Sequence, residues 1–255
     1  ITTPLSEAGL CGIAIGMAAA GLIPVVEIQF LGFAYPCLDQ LINHASRLRN
    51  RTRGRISCPL VLRAPFGGGV GAPEHHSEST EALFAHIPGL RTVIPSSPQK
   101  AYGLLLAAIR NPDPVVFLEP TRAYRSFVET VVDNGEALAL DTSFIERVGA
   151  DVTLVSWGAM LMEVRKAVEA LAKHGIDPEV IDVATLGSTF DADTVLRSVE
   201  KTGRCVIVHE APLTGGFGAE IAARISNEKL TSLLAPIERV TGLDTVIPLP
   251  QLEKY

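Results

Sequence analysis

The sequence predicts an α/β protein of two domains, each built on a parallel sheet covered by helices. Three observations lead there. Apolar runs of strand length, rich in Val, Ile and Leu, recur along the 255 residues, and such runs belong to strands buried on both faces. Stretches with helical periodicity alternate with them, the order of β-α-β units. The alternation is interrupted by a more polar, less periodic connection at 121–150 and then resumes, with no repeat that aligns the two halves.

The elements follow in order. "TTPLSEAGLCGIAIGMAAAGL" opens the chain, with Glu7 at the head of a segment, Ala8 to Leu22, that carries no other charge. Pro4 suits a helix start and Thr3 or Ser6 a cap. A helix without a polar face is expected to be largely enclosed. On position alone, Glu7 suits the first turn, where a carboxylate complements the helix dipole. "PVVEIQF" (24–30) reads as a strand, "CLDQLINHASRLR" (37–49) as an amphipathic helix and "CPLVLRAP" (58–65) as a buried strand. "STEALFAHI" (79–87) reads as a short helix, "RTVIPS" (91–96) as a strand, "PQKAYGLLLAAIR" (98–110) as a helix and "PVVFLEP" (114–120) as a strand. In the second half, strands are expected at 151–158, 177–186 and 204–212. Helices are expected at 159–175, closed by Gly175, at 191–203 and from the glycine-rich turn at 215 to 227.

Composition narrows the classes of function. The chain is 47% hydrophobic and 20% charged, enough for a large core with apolar surface left to cover against a partner. A net charge of −6 argues against nucleic acid as the main partner. The uncharged segment is too short and too rich in Gly and Ala to cross a membrane. Arg47, Arg49, Arg51, Arg53 and Arg55 form a local basic run that reads as a solvated helix end and loop, with subunit contacts to an acidic neighbour as the alternative. Four scattered cysteines without a C-x-x-C pair read as reduced, buried thiols of a cytosolic protein. No stretch reads as a signal or transit peptide, and a start at Ile1 in mid-motif leads one to expect residues upstream.

Ligands of open parallel sheets bind beyond the carboxyl ends of the strands. Three polar loops qualify: 29–35, 67–79 with adjacent His75 and His76, and 209–218. Neighbouring loop histidines usually point apart, so one of the pair is expected to face a site as an acid, base or hydrogen-bond donor. The lack of Cys or carboxylate at ligand spacing argues against zinc. "GGFGAEI" carries half of a dinucleotide fingerprint, lacks its third glycine and stands apart from its strand, so it reads as a turn packing a helix on the sheet.

Five collinear stretches, "TTPLSEAGLCGIAIGMAAAGLIPVVEIQFLGFAYPCLDQLIN", "HHSESTEALFAHIPGLRTVIPSSP", "LLLAAIRNPDPVVFLEP", "VIVHEAPLTGGFGAEIAARI" and "IERVTGLDTVIPLPQLE", resemble the β subunit of the thiamin-diphosphate-dependent 2-oxoacid dehydrogenases. These are the decarboxylating first components of the pyruvate and branched-chain complexes. The resemblance implies a pyrimidine-binding, transketolase-like domain at 1–125, a connecting segment at 126–147 and a transketolase C-terminal-type domain at 148–255. It implies a heterotetramer of two α and two β chains, with thiamin diphosphate at the α/β interface and its diphosphate and Mg2+ held by the α subunit. It also implies delivery of the acyl group to a lipoylated dihydrolipoyl acyltransferase.

Glu7 matches the family's glutamate that hydrogen-bonds the aminopyrimidine ring and so promotes ylid formation; a dry pocket would raise its pKa. Leu5, Gln29 and Phe33 match positions that pack on, bound and stack against the pyrimidine, though Phe33 also suits plain core. His76 matches the active-site histidine, while His75 falls where the family varies. Leu60, Ala108, Asn111 and Asp113 match a monovalent cation site, often K+, with Asn111 where some members have aspartate. Ala184 stands where an arginine is usual, and the family's segment upstream of "TPLSE" is absent. "HHSESTEALFAH" and "EIQF" lean towards the branched-chain type, with pyruvate and acetoin types close behind. A split transketolase-like subunit and a non-catalytic assembly subunit are the alternatives. The resemblance places the protein in the bacterial or archaeal cytoplasm or, in a eukaryote, the mitochondrial matrix.

Overall fold

A computed structural model describes residues 2–249 and 251; 250, 252 and 253 of the last family stretch lie outside the described residues. The first half runs α1 (Glu7–Ala19), β1 (Val25–Glu27), α2 (Leu38–Asn43), α3 (Leu48–Arg51), β2 (Val61–Phe66), α4 (Glu81–Ala85), β3 (Arg91–Val93), α5 (Pro98–Arg110) and β4 (Val115–Pro120). The second half runs β5 (Ser143–Arg147), β6 (Val152–Ser156), α6 (Met160–Ala172), β7 (Pro178–Val183), β8 (Thr185–Leu186), α7 (Ala192–Thr202), β9 (Cys205–Pro212), α8 (Phe217–Glu228) and β10 (Glu238–Gly242). Two five-stranded sheets result, ordered β1-β2-β4-β3-β8 and β10-β9-β6-β7-β5.

Both sheets are parallel except at one edge. β8 runs antiparallel to β3 and β5 antiparallel to β7. The all-parallel expectation is corrected at those edges. β5 rises from the stretch read as connection, because its half-exposed Ser-Phe-Ile-Glu-Arg lacks the apolar run that marks an inner strand. β8 was read as the end of a longer strand at 177–186; instead the chain leaves the second sheet after Val183 and adds Thr185–Leu186 to the first.

That exchange joins the halves. The Ile94 N–H donates to the Ala184 carbonyl at 2.8 Å, and Ala184 is fully buried. Lys100 on α5 reaches the buried Asp182 of β7 at 2.6 Å, and the Ser96 hydroxyl donates to the same carboxylate at 2.5 Å. Phe66 and Ile94 of the first half share one core with Val155, Trp157 and Phe217 of the second. Each such side chain, fully buried, stabilises the fold by about 1.5–3 kcal/mol, so the two sheets fold against each other rather than on a flexible tether.

Three further expectations are corrected. The helix read over 37–49 is broken into α2, the 3₁₀ turn Ala45–Arg47 and α3. The Ser46 hydroxyl donates back to the Ile42 carbonyl at 2.9 Å where the chain bends at His44. β1 stops at Glu27, and the residues after it turn into the loop that builds the site. The uncharged segment is not enclosed: Cys11, Ala14 and Ala18 are buried, whereas Ile13 is 66% exposed and Leu22 54%. Its small side chains let one face pack closely and leave the other open. The arginine run is, as read, largely a solvated turn, with Arg49 paired to Asp113 at 2.6 Å. All four cysteines are buried and free.

Candidate active site

β1 and β2 are neighbours in parallel register, Val26 opposite Leu62, so the loops leaving their carboxyl ends emerge side by side. The first winds into the 3₁₀ turn Leu31–Cys37, the second crosses the glycine-rich stretch to a short 3₁₀ turn, Glu74–His76. The two turns meet ring to ring. Phe33 stands edge-on to His75 and His76, with centroids 4.7 and 5.4 Å apart, and Phe30 lies 4.6 Å from His76. The expectation that the two histidines point apart is corrected, since both rings turn toward Phe33. Gly32 makes this approach possible: a Cβ there would stand 2.2 Å from the His75 carbonyl oxygen.

His76 Nδ1 is buried, with no hydrogen-bond partner among the described residues. A buried polar atom left unpaired costs roughly 1–3 kcal/mol, a cost retained where the atom has work with a ligand. Glu7 opens α1 next door. The Ser6 hydroxyl caps the helix by accepting from the Gly9 N–H at 3.4 Å, and the Cys37 thiol donates to the Glu7 carbonyl at 3.2 Å, tying the start of α1 to the end of the Leu31–Cys37 turn. The Glu7 side chain is half-buried, and no hydrogen bond or ion pair among the described residues engages its carboxylate. Leu5, at 97% exposure, and the exposed Gln29 stand at the open rim. The structure thus gathers Glu7, Phe33 and His76 around one turn and leaves Leu5 and Gln29 outside the packed cluster. Among the described residues nothing encloses Glu7 as the sequence led one to expect.

Leu60, Ala108, Asn111 and Asp113 come together where α5 ends. The Ala108 carbonyl accepts from Asn111 N–H at 3.2 Å, the Leu60 carbonyl from Val115 N–H at 2.9 Å, and the Asn111 side-chain oxygen from Asp113 N–H at 2.8 Å. Each carbonyl keeps a second lone pair, while Arg49 already neutralises Asp113. Among the described residues, no group of three His, Cys, Asp or Glu side chains converges as a metal site.

Behind the rings lies a buried polar layer that sequence reading missed. Glu81, the first residue of α4, is 1% exposed and accepts from the Trp157 indole N–H at 3.1 Å. Burial pushes its pKa up to about 7, against the pull of the Trp157 bond. The His209 ring stacks on Trp157 at 5.1 Å, and burial lowers its pKa to about 4. A Cβ at Gly218 would lie 2.6 Å from the His209 ring, so the "GGFG" glycines seat that ring and start α8. Glu210 faces the other side of β9 and accepts from the Gly68 N–H. The signal for this layer is "VIVHEAP", which sets His209 and Glu210 at the head of the 209–218 loop. Phe30 was hidden in the stretch read as strand.

Family models match both halves: transketolase, pyrimidine binding domain over residues 1–126, and transketolase, C-terminal domain over residues 142–255. The pyruvate dehydrogenase E1 component subunit beta of Acholeplasma laidlawii is 46% identical over 253 residues, covering 99% of this chain and 77% of that protein. The subunit of the same name from Bacillus subtilis is 45% identical over 251 residues, covering 98% and 77%. The chain belongs to the family of 2-oxoacid dehydrogenase β subunits. As such it is a component of a thiamin-diphosphate-dependent enzyme. A solved split gene transketolase, described as an inactive beta4 tetramer, shares the fold with a TM-score of 0.80 at 24% identity, over 98% of this chain and 77% of that one. Among the described residues, no helix is long and apolar enough to cross a membrane.

Proposed function

We propose that this chain supplies the pyrimidine half of an active site shared with an α subunit, and that the pair decarboxylates pyruvate and passes the acyl group to a lipoyl group on an acyltransferase. The observation that carries the reading is the His76 Nδ1, buried with no partner among the described residues and held against Phe30 and Phe33, on the turn whose Cys37 thiol bonds the Glu7 carbonyl. The names of the relatives favour pyruvate over the branched-chain substrate to which "HHSESTEALFAH" and "EIQF" leaned. Their bacterial sources suit a cytoplasmic enzyme.

The residues present fit the pyrimidine. Glu7 offers a carboxyl with its acceptors unspent, Phe33 an aromatic face, and Gln29 and Leu5 polar and apolar edges at the rim. When bound, thiamin diphosphate would supply a carbanion nucleophile and an electron sink for decarboxylation of a 2-oxoacid. Glu7 would hold a proton toward the pyrimidine ring. His76 is placed to donate or accept a proton while the acyl group departs. The diphosphate and Mg2+ are assigned to the α subunit, and K+ to the spare lone pairs of Leu60 and Ala108 beside Asn111 and Asp113.

Glu7→Gln tests the reading. Co-purified with its α subunit, the variant is expected to assemble normally and to lose decarboxylation by at least about 100-fold, the scale of a proton-transfer group. The unmodified chain alone is expected to show no decarboxylation. A near-normal rate in the variant, or a fully active chain without α, would sink the proposal.

A further inference from the structure

The loop that carries His76 is not held by its own domain alone. Gly67 N–H donates to the Glu78 carbonyl at 2.8 Å, which joins the two ends of the loop and makes residues 67–78 a closed Ω-type unit. Such a unit swings about its base, so the placement of His76 depends on what grips that base. The second sheet reaches it in two places. At the upstream end, Glu210 at the carboxyl end of β9 accepts from the Gly68 N–H. Its other carboxylate oxygen lies where a Cβ at Gly67 would be only 2.9 Å away, and Gly67 has φ +87°. At the downstream end, the Trp157 indole N–H holds Glu81 at 3.1 Å.

The rest of the base belongs to the first half. The Thr121 hydroxyl lies 3.2 Å from the Phe66 carbonyl and 3.0 Å from that of Gly67. Inside the loop, the His76 N–H donates to Pro73 at 2.9 Å and the Ser77 N–H to Glu74 at 3.0 Å. The histidine turn is therefore rigid in itself, and its aim at Phe30 and Phe33 is set at the base.

We propose that Glu210 is a positioning residue: from the C-terminal half it fixes the glycine base of the loop and thereby the place of His76 at the reacting centre. Glu210 touches neither substrate nor cofactor in this account. Its carboxylate acts through the Gly68 amide, a charge-assisted bond of the stronger kind, and Trp157 supports it at the far end. A misplacement of about 1 Å at a proton-transfer group can cost on the order of 100-fold in rate. The inference rests on the role given to His76 above, and the experiment separates the two.

In the enzyme assembled with its α subunit, Glu210→Ala is expected to slow reductive acylation of a free lipoyl domain by about 10- to 100-fold. Affinity for thiamin diphosphate should stay within about twofold, because Glu210 is not among the residues facing the pyrimidine. Glu210→Gln keeps an acceptor oxygen for Gly68 and is expected to restore most of the rate. Glu210→Ala combined with His76→Ala should be no slower than His76→Ala alone, the mark of two residues acting through one. Amide exchange across 67–80, measured on the full chain, should quicken about 10- to 100-fold in Glu210→Ala and not in Glu210→Gln. Normal transfer in Glu210→Ala, a Gln variant as slow as the Ala variant, additive losses in the double variant, or unchanged exchange would each overturn the inference. If His76→Ala transfers at the full rate, the role given to His76 falls, and exchange at 67–80 alone decides whether Glu210 clamps the loop.

Discussion

Glu81 gives the sharpest quantitative test of the seam between the two sheets. Its carboxyl is 1% exposed and, with burial as the largest cause, titrates at about 7 instead of the 4.5 of an unperturbed group. The folded chain therefore keeps a proton that the unfolded chain releases between pH 4.5 and 7. Below that window both states are protonated and the group is neutral in effect. Stability falls as pH rises through the window and levels off above it, by about 3 kcal/mol in all at 1.36 kcal/mol per pH decade. Glu81→Gln retains an acceptor for the Trp157 N–H and has no proton to lose. The variant is expected to gain about 2–3 kcal/mol on the parent chain between pH 5 and pH 8. His209 works in the opposite sense, since a lowered pKa favours folding as pH rises from about 4 towards 6.5. It is present in both proteins and drops out of the difference. Trp157, the only tryptophan of the chain, reports the transition by fluorescence during denaturant unfolding at each pH. A variant-minus-parent difference that stays flat to within about 0.5 kcal/mol across the range would refute the linkage.

Two further predictions rest on close packing. Gly32→Ala places a methyl group 2.2 Å from the His75 carbonyl oxygen, a backbone atom that cannot rotate away, so the two ring-bearing turns must separate. It is expected to lower stability by about 1–3 kcal/mol and to lower acyl transfer at least about 10-fold, measured by thermal unfolding and by lipoyl acylation; an unchanged rate would show that the ring contacts are dispensable. Burial holds the thiols of Cys58 and Cys205 up to about 11 and about 12, so the four buried cysteines should resist a disulfide reagent at pH 8 and react only in denaturant. Rapid reaction of any one in the native chain would contradict its burial.

What the sequence made legible follows from periodicity. α5 was read to its ends because Ser97 caps it, Pro98 opens it and its 3.6-residue pattern is unbroken. The inner strands β4, β6 and β7 are legible because they are buried on both faces and rich in Val, Ile and Leu, with the few polar residues (Glu119, Thr153, Ser156, Glu179, Asp182) too sparse to break the run. The edge strands β5 and β10 have no strong local pattern and stayed illegible, being half-exposed, while β8, folded into the strand expected at 177–186, belongs to the other sheet. The site divides the same way. Glu7, Phe33 and His76 were reached through family resemblance, and the structure places them around one turn. The contacts of Glu81, Trp157 and Glu210 join residues 76 and 142 positions apart, and no local pattern in a sequence encodes a pairing across that distance.

The uncharged face of α1 is where local reading and tertiary structure part most instructively. Read alone, a helix with no polar side belongs inside a protein; here Ile13 of α1 is 66% exposed, as are the flanking Leu5, 97%, and Ile23, 53%, on the helix that Glu7 opens. If assembly with the α subunit covers this face, Ile13→Glu must weaken it. The variant forfeits the burial of an isoleucine, about 1.5–3 kcal/mol, and sets an unpaired carboxylate against an apolar partner at a cost of several kcal/mol more. Association should fall by at least about 100-fold, read by sedimentation of mixtures with α. The chain's own fold should shift by no more than about 0.5 kcal/mol, since Ile13 takes no part in its core. Intact assembly in the variant would remove the outer face of α1 from the interface. A large loss of stability in the isolated chain would instead show that Ile13 serves the fold. Only weakened assembly with an unshifted fold makes the enclosure of Glu7 a property of the assembled enzyme.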